Sequence, residues 1–468
     1  MTLLRKVKAG ILVSVLAVSM TTGGARADSL ADAMADAYRN SGLLDQNRAV
    51  MRAADEDVAI AVSSLRPVVN WVGDITRTFG DTRNLGVVRN NEATSASIAL
   101  NAEIVLWDGG RSRLNVDIAK ETVLATRQAL ISVEQLVLQR AVNAFMDVRS
   151  TYEIVQLRRN NIRVISEELR AARDRFEVGE VTRTDVALAE ARLAEARSNL
   201  AQAEGDLAIA IEEFRATVGR APGNLTQPPS MQMPVRTVEA AKAVAVRAHP
   251  DIKSLQSQVT AADLGVLLAR RATAPEVKLT GRLSVSEGFG NDNYTRGGSV
   301  GVQTGGVIYQ GGQLMAQARK AMAQRDARRG ELLDTQRVIA QNVGTAYARV
   351  QVAQAALRAV DEQIRAARVA FRGVREEATL GARTTLDVLN AEQDLLDAQA
   401  NRITAASNEY KAYYALLSAM GLLTVDQLNL DVPQYDPAAY YNMVKDAPSA
   451  ISEQGRQLDR VLQKLGKE

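Results

Sequence analysis

Two parts of this 468-residue chain repeat each other at a fixed distance. Trp107-Asp108-Gly109-Gly110-Arg111 recurs as Tyr309-Gln310-Gly311-Gly312-Gln313, a shift of 202 residues. The same shift carries Ala144-Phe145 onto Ala346-Tyr347, Gly179 onto Gly381, Asp185-Val186 onto Asp387-Val388 and Val218-Gly219 onto Met420-Gly421. A unit this long is a duplicated structural half rather than a solenoid repeat of about 20–50 residues. Whatever one half folds into, the chain contains twice.

The first residues read as an export signal. Arg5, Lys6 and Lys8 precede an apolar run from Ile11 to Val18, and Ala25-Arg26-Ala27 has the small-x-small pattern of a cleavage site, with Ala27 as the last residue removed. That run is too short to span a bilayer. Removing residues 1–27 takes four of the 57 basic residues and none of the 54 acidic ones, leaving 53 against 54. The basic balance belongs to the leader, so a nucleic-acid partner is not indicated. The absence of cysteine excludes disulfides, thiolate metal sites and a lipidated N-terminal thiol. No later apolar run is long enough for a transmembrane helix, so any membrane passage must be made by strands.

Each half opens with an amphipathic helical pattern, about Ser29 to Leu65 and Thr237 to Ala272, shifted by 208 and ending at Pro67 and Pro275. Proline removes a ladder donor and biases its predecessor towards extended geometry, so both mark helix-to-strand junctions. Beyond them the period becomes two, with strands expected within about 67–107 and 275–309. Trp71, Ile75 and Phe79 share one face, with Asn70, Asp74 and Thr76 on the other, while Ala96, Ile98, Leu100, Ala102, Ile104 and Leu106 alternate with Ser97, Asn101 and Glu103. Val277 to Ser286 and Ser299 to Ile308 alternate likewise. Runs of about ten residues suit tilted membrane strands, and the long polar loops at 80–93 and 288–298 suit the outer end of a barrel. Trp107 and Tyr309 stand at strand ends, where interfacial aromatics sit.

After each Gly-Gly pair, proline-free helical stretches run from about Arg111 to Val178 and from about Gln313 to Leu380. At 1.5 Å per residue each is roughly 100 Å long. Apolar residues at three- and four-residue spacing, such as Ile162, Ile165, Leu169 and Ala172, indicate coiled-coil packing. Glycine turns at Gly179 and Gly381 lead into returning helices, about Thr184 to Val218 and Thr384 to Met420. The domains expected are a first repeat over 29–218, a connector over 219–236, a second repeat over 237–430 and a tail over 431–468. Four of the ten prolines fall between Gly219 and Pro234, which marks the connector as irregular.

Two halves supply four strands, and an open four-stranded sheet in lipid leaves edge groups unsatisfied at a cost of several kcal/mol each. Several copies must therefore close one barrel, giving eight, twelve or sixteen strands for a dimer, trimer or tetramer. Strand physics alone does not choose among these.

Taken in order, the helix-strand-strand-helix-helix halves, the junctions at Pro67 and Pro275, the turns at Gly109-Gly110 and Gly311-Gly312, and the tip motifs Val178 to Val186 and Leu380 to Leu389 resemble the TolC family of outer-membrane efflux and type I secretion channels. The resemblance covers roughly Ser29 to Leu430. It implies an α+β membrane protein: a homotrimer with a twelve-stranded β-barrel in outer-membrane lipid, continued by a long α-helical coiled-coil barrel across the periplasm. It also implies docking at Gly179 and Gly381 to a periplasmic adaptor serving a proton-driven or ABC-type inner-membrane transporter.

By motif position, the resemblance makes the tips a periplasmic gate. Arg383 is the cation expected to reach Thr184 and Asp185 of a neighbouring protomer, and Asp387 is expected to form a carboxylate ring at the entrance. Asn390 stands where well-known members carry a second carboxylate, and Ala378 where a gate tyrosine is often found. Both departures imply a less cation-selective and less tightly closed entrance.

A periplasmic adaptor is the competing reading, since it too has a long helical hairpin and β structure. It needs one hairpin, however, where this chain has two with strands inside each copy. No nucleophile motif, phosphate loop or metal spacing supports an enzyme or a cofactor. The sole histidine, His249, precedes Pro250 and matches Ser41 of the first half, which suits a helix start or packing.

Overall fold

The computed structural model describes residues 28–90, 92–229, 231–289, 294–449 and 452–464. The expected leader, including Ala27, lies outside the described residues.

In the first half α1 (Leu30–Asn40) and α2 (Gly42–Ser63) lead into β1 (Val68–Thr78), and β4 (Ala93–Trp107) returns to α3 (Arg111–Glu177) and α4 (Arg183–Val218). The second half repeats this as α5 (Val238–Ala248), α6 (Pro250–Arg270), β5 (Glu276–Phe289), β6 (Tyr294–Gly305), α7 (Gln313–Thr379) and α8 (Thr385–Ala419). The first helix expected in each half is two helices. The break falls at Ser41, whose side chain accepts from the Leu44 amide at 3.3 Å, and at His249, whose Nδ1 accepts from the Asp251 amide at 3.2 Å. Both residues are N-caps, and Pro250 takes the first helical position after one of them. The apolar stripe continues across each break, which is why periodicity alone hides it.

The first outer loop holds a small hairpin, β2 (Asp81–Asn84) and β3 (Val87–Asn90), joined by Leu85-Gly86 at φ +49° and +85°. Two consecutive left-handed residues give a turn whose twist matches the strands. The four long strands form one antiparallel sheet in the order β1-β4-β5-β6, so the two halves join through β4 and β5. The register produces rows of one character. Trp71, Leu100 and Leu283 lie abreast, whereas Asn70, Asn101, Arg282 and Ser299 form the next row on the opposite face. Trp71, Ile75 and Phe79 remain 73–78% exposed, so this apolar face is left uncovered by the described residues. Among the described residues, one edge of β1 and one of β6 stay unpaired.

The helices are held by thin seams rather than one bulky core. Around the middle of α3, Leu138, Val142 and Phe145 meet Met34 of α1, Phe214 of α4 and Leu423. Val343 and Val350 of α7 meet Ala241 of α5 and Leu416 of α8. Tyrosines fasten the irregular connector to these helices: the hydroxyls of Tyr410, Tyr413 and Tyr347 donate to the carbonyls of Pro228, Gln232 and Arg236 at 3.0, 2.8 and 2.8 Å. In the tail, α9 (Pro437–Val444) packs on α2, with Tyr440 donating to Glu56 at 2.6 Å. Arg66, just before the strand junction, donates to the carbonyls of Asp446 and Ala447. A last helix, α10 (Glu453–Lys464), follows.

Candidate functional site at the hairpin tips

Each tip is built by two opposed caps. At Gly179 and Gly381 the chain adopts φ +80° and +79°, which costs a residue with a side chain but not glycine. The amides of Glu180 and Ala382 then bond back to the carbonyls of Arg175 and Glu377, both at 2.9 Å, satisfying carbonyls left over at a helix end. The returning helices start on threonine. Thr182 and Thr384 are the N-caps, each in a reciprocal capping box with Asp185 or Asp387. Asp185 accepts from the Thr182 amide at 2.9 Å, and Asp387 from the Thr384 amide at 3.0 Å. That amide, with the Thr384 hydroxyl, holds the Asp387 carboxyl below its ordinary range. The expected start at Thr184 is thus displaced by two residues: Thr182 caps, and Thr184 lies exposed in the first turn.

Arg383 lies against Glu377 of its own tip, Nε to Oε2 at 2.8 Å. Its counterpart at the shift of 202 is Val181, so the first tip has no such pair. Asn390 accepts from Arg192 of α4 at 2.9 Å, which makes it a link between the two hairpins. Ala378 lines a cleft of about 190 Å³ between the hairpins, together with Glu168, Ala172 and Arg375.

Side chains that motif reading passed over join the hairpins more deeply. Leu389 of α8 packs with Ile165 and Leu169 of α3 and with Leu193 of α4. Beside this cluster Glu392 is only 7% exposed. One of its oxygens accepts from Asn161 Nδ2 at 3.1 Å, while Oε2 is buried without a partner among the described residues. Burial, then the charge of nearby Glu168, raises its pKa to about 7; Asn161 and Arg375 pull the other way. Arg375 pairs with Glu168 at 3.5 Å and Arg158 with Asp397 at 3.8 Å.

The repeat makes this arrangement informative. Arg375 and Glu392 are the counterparts, at 202, of Arg173 and Glu190. In the first hairpin those two residues pair with each other on the surface at 2.5 Å. In the second hairpin the same pair is split, and both partners are redirected to α3. A sequence signal existed, since Glu392 interrupts the apolar stripe Val388, Leu389, Leu396, but a lone charge in a stripe does not reveal its partner.

Duplicated halves, an amphipathic sheet with open edges and two hairpins on 67-residue helices define the subunit of an outer-membrane channel. Residues 34–220 and 244–422 match the family model described as outer membrane efflux protein, and the chain belongs to that family. It is 36% identical to the outer membrane efflux protein BepC of Brucella suis, covering 94% of this chain and 95% of that protein. It is 23% identical to the outer membrane protein TolC of Escherichia coli K12, over 88% and 86% of the two chains. Its fold matches the Campylobacter jejuni CmeC outer membrane channel with a TM-score of 0.74 at 16% identity, covering 90% of each. The chain is an outer-membrane protein extending into the periplasm, an exit duct for efflux or secretion and not an enzyme. These likenesses favour the duct over the adaptor reading.

Proposed function

We propose that three copies of this chain close a twelve-stranded barrel through the free edges of β1 and β6, continued by a helical tunnel. The hairpin tips would form its periplasmic gate. The unpaired edges and the uncovered apolar face support closure by further copies. A periplasmic adaptor would dock at the turns of Gly179 and Gly381 and connect the duct to an inner-membrane transporter. One relative is named an alkaline protease secretion protein and another a pyoverdine export protein, which supports a place in such export systems.

The observation that carries the gate is the split pair. With the hairpins docked, Arg375 is held by Glu168 and Glu392 by Asn161. With the second hairpin swung away, Arg375 and Glu392 are free to pair with each other as Arg173 and Glu190 do. Each state then has a partner for the cation, which is what a two-state element requires. Between protomers, Arg383 would exchange Glu377 for Thr184 and Asp185 of a neighbour, and three copies of Asp387 would ring the entrance. Asn390, tied to Arg192, would add no charge to that ring.

The chain has no cysteine, so Asn161→Cys with Glu392→Cys introduces a single possible crosslink per protomer. Oxidation is expected to abolish export through the duct, and a reductant to restore it. Export that continues with the crosslink formed would remove this contact from the gate.

A further inference from the structure

A trough of about 1170 Å³ runs between α3 and α7 with α8 as its floor. It is large enough for a small organic molecule. It exists because α8 presents small side chains there, Ala405, Ala412, Ala415 and Ala419, at helical spacing. The opposite side of α8 carries Tyr410 and Tyr413, which grip the connector. The trough therefore opens on the face turned away from that belt, and with the belt of irregular chain outside the tunnel proposed above, the trough faces its interior.

Its wall is not a generic polar surface. Gln135 of α3 lines the trough at 4% exposure, and its Nε2 is buried with no hydrogen-bond partner among the described residues. One turn on, Gln139 donates to Asn143 at 3.2 Å but leaves its own Oε1 buried and unpartnered. A donor and an acceptor that give up water without protein partners are costly unless something else meets them. Across the trough, Arg349 of α7 is exposed and makes no ion pair among the described residues. The other charged groups at the rim are engaged: Lys411 with Asp147, and Asp251 with Ser132.

We propose that this trough is a transient binding site for amphiphilic organic anions in transit: Arg349 meets the anionic group, Gln135 and Gln139 a polar group beside it, and the alanine floor the apolar body. The site rests on the tunnel reading. An open, partly apolar trough with one free cation holds such a ligand weakly, as a duct requires if cargo is to leave again.

The probe is 2-naphthalenesulfonate, with the full-length protein used throughout. Equilibrium dialysis against detergent-solubilised protein is expected to show saturable binding, weakened about tenfold by Arg349→Gln, a few-fold by Gln135→Leu, and kept by Arg349→Lys. In planar bilayers the same probe is expected to block current reversibly, with the same order among variants. Binding that is equal in wild type and in both weakening variants overturns the site and leaves the tunnel reading intact. Variant-sensitive binding without any block overturns the interior position, and the tunnel reading with it.

Discussion

The two hairpin tips share a backbone, a glycine turn and a threonine-aspartate capping box, yet their faces have taken different partners. In the first hairpin Arg173 and Glu190 hold each other in solvent, both more than half exposed. In the second, their counterparts Arg375 and Glu392 reach across to α3, and Glu392 is buried there. The cause lies in the residues that do not repeat. Glu168 and Asn161 exist only in the first copy, where the second has Ala370 and Gln363, and Ala187 of the first copy becomes Leu389 in the second. Duplication preserves a residue; its role depends on what the neighbouring helix offers it.

Making the tips alike should weaken their contact, most strongly at the apolar plug. Leu389→Ala gives the second tip the first tip's residue and removes a buried side chain from between the hairpins. The expected cost is about 2–4 kcal/mol of docking energy. It would be read as raised closed-state conductance in planar bilayers, with the equivalent Ala187→Gly near silent by comparison. Unchanged conductance in Leu389→Ala would mean that the plug does not hold the gate.

The buried carboxylate gives the next effect and a direction in pH. Docked, Glu392 has its pKa raised to about 7; separated, it returns to the ordinary 4.5. Between these values the separated state has lost its proton and the docked state retains it. Docking is therefore strongest below the lower value, weakens as pH rises from about 4.5 to 7, and is flat above. The change is on the order of 2 kcal/mol once solvent screening is allowed for. Burial is the main cause; of the groups that face Glu392, Glu168 on α3 adds to the shift, while Asn161 on α3 and Arg375 on α7 oppose it. Glu392→Gln should flatten that part of a conductance-against-pH curve, and Glu190→Gln should leave it in place. A curve unaltered by Glu392→Gln would place the pH sensitivity elsewhere.

The exposed cations come last. Arg375→Ala should raise closed-state conductance slightly, whereas Arg173→Ala should not, because only the former crosses between hairpins; pairs of this kind contribute about 0.2–1 kcal/mol. Arg383→Ser tests the contact between protomers in the same assay. No change there would confine Arg383 to its pairing with Glu377.

Much of this architecture is legible in the sequence. The shift of 202 located both long helices within a residue or two, since proline-free amphipathic stretches bounded by glycine leave little choice. Alternation gives the strands, and β5 begins at Glu276, just past Pro275 as expected; β6 stops at Gly305 rather than reaching Ile308. The breaks at Ser41 and His249 were not legible, because a cap changes the backbone without interrupting the apolar stripe. At the tips, the motif positions pointed to Arg383, Asp185, Asp387 and Asn390. Glu392 and Arg375 carry no such motif, because their significance is a contact with a helix more than two hundred residues away in sequence.

By itself the sequence determined the duplication, the amphipathic strands that one chain cannot close, and the paired helices too long for a globular core. Those properties are periodic, and periodicity is local. Only the tertiary structure decided which of two equivalent charges is buried, which alanines open a trough beside unpartnered glutamines, and which hairpin leans on the other. Desolvation and pairing depend on what lies across a few ångströms of space, and the chain order does not contain that.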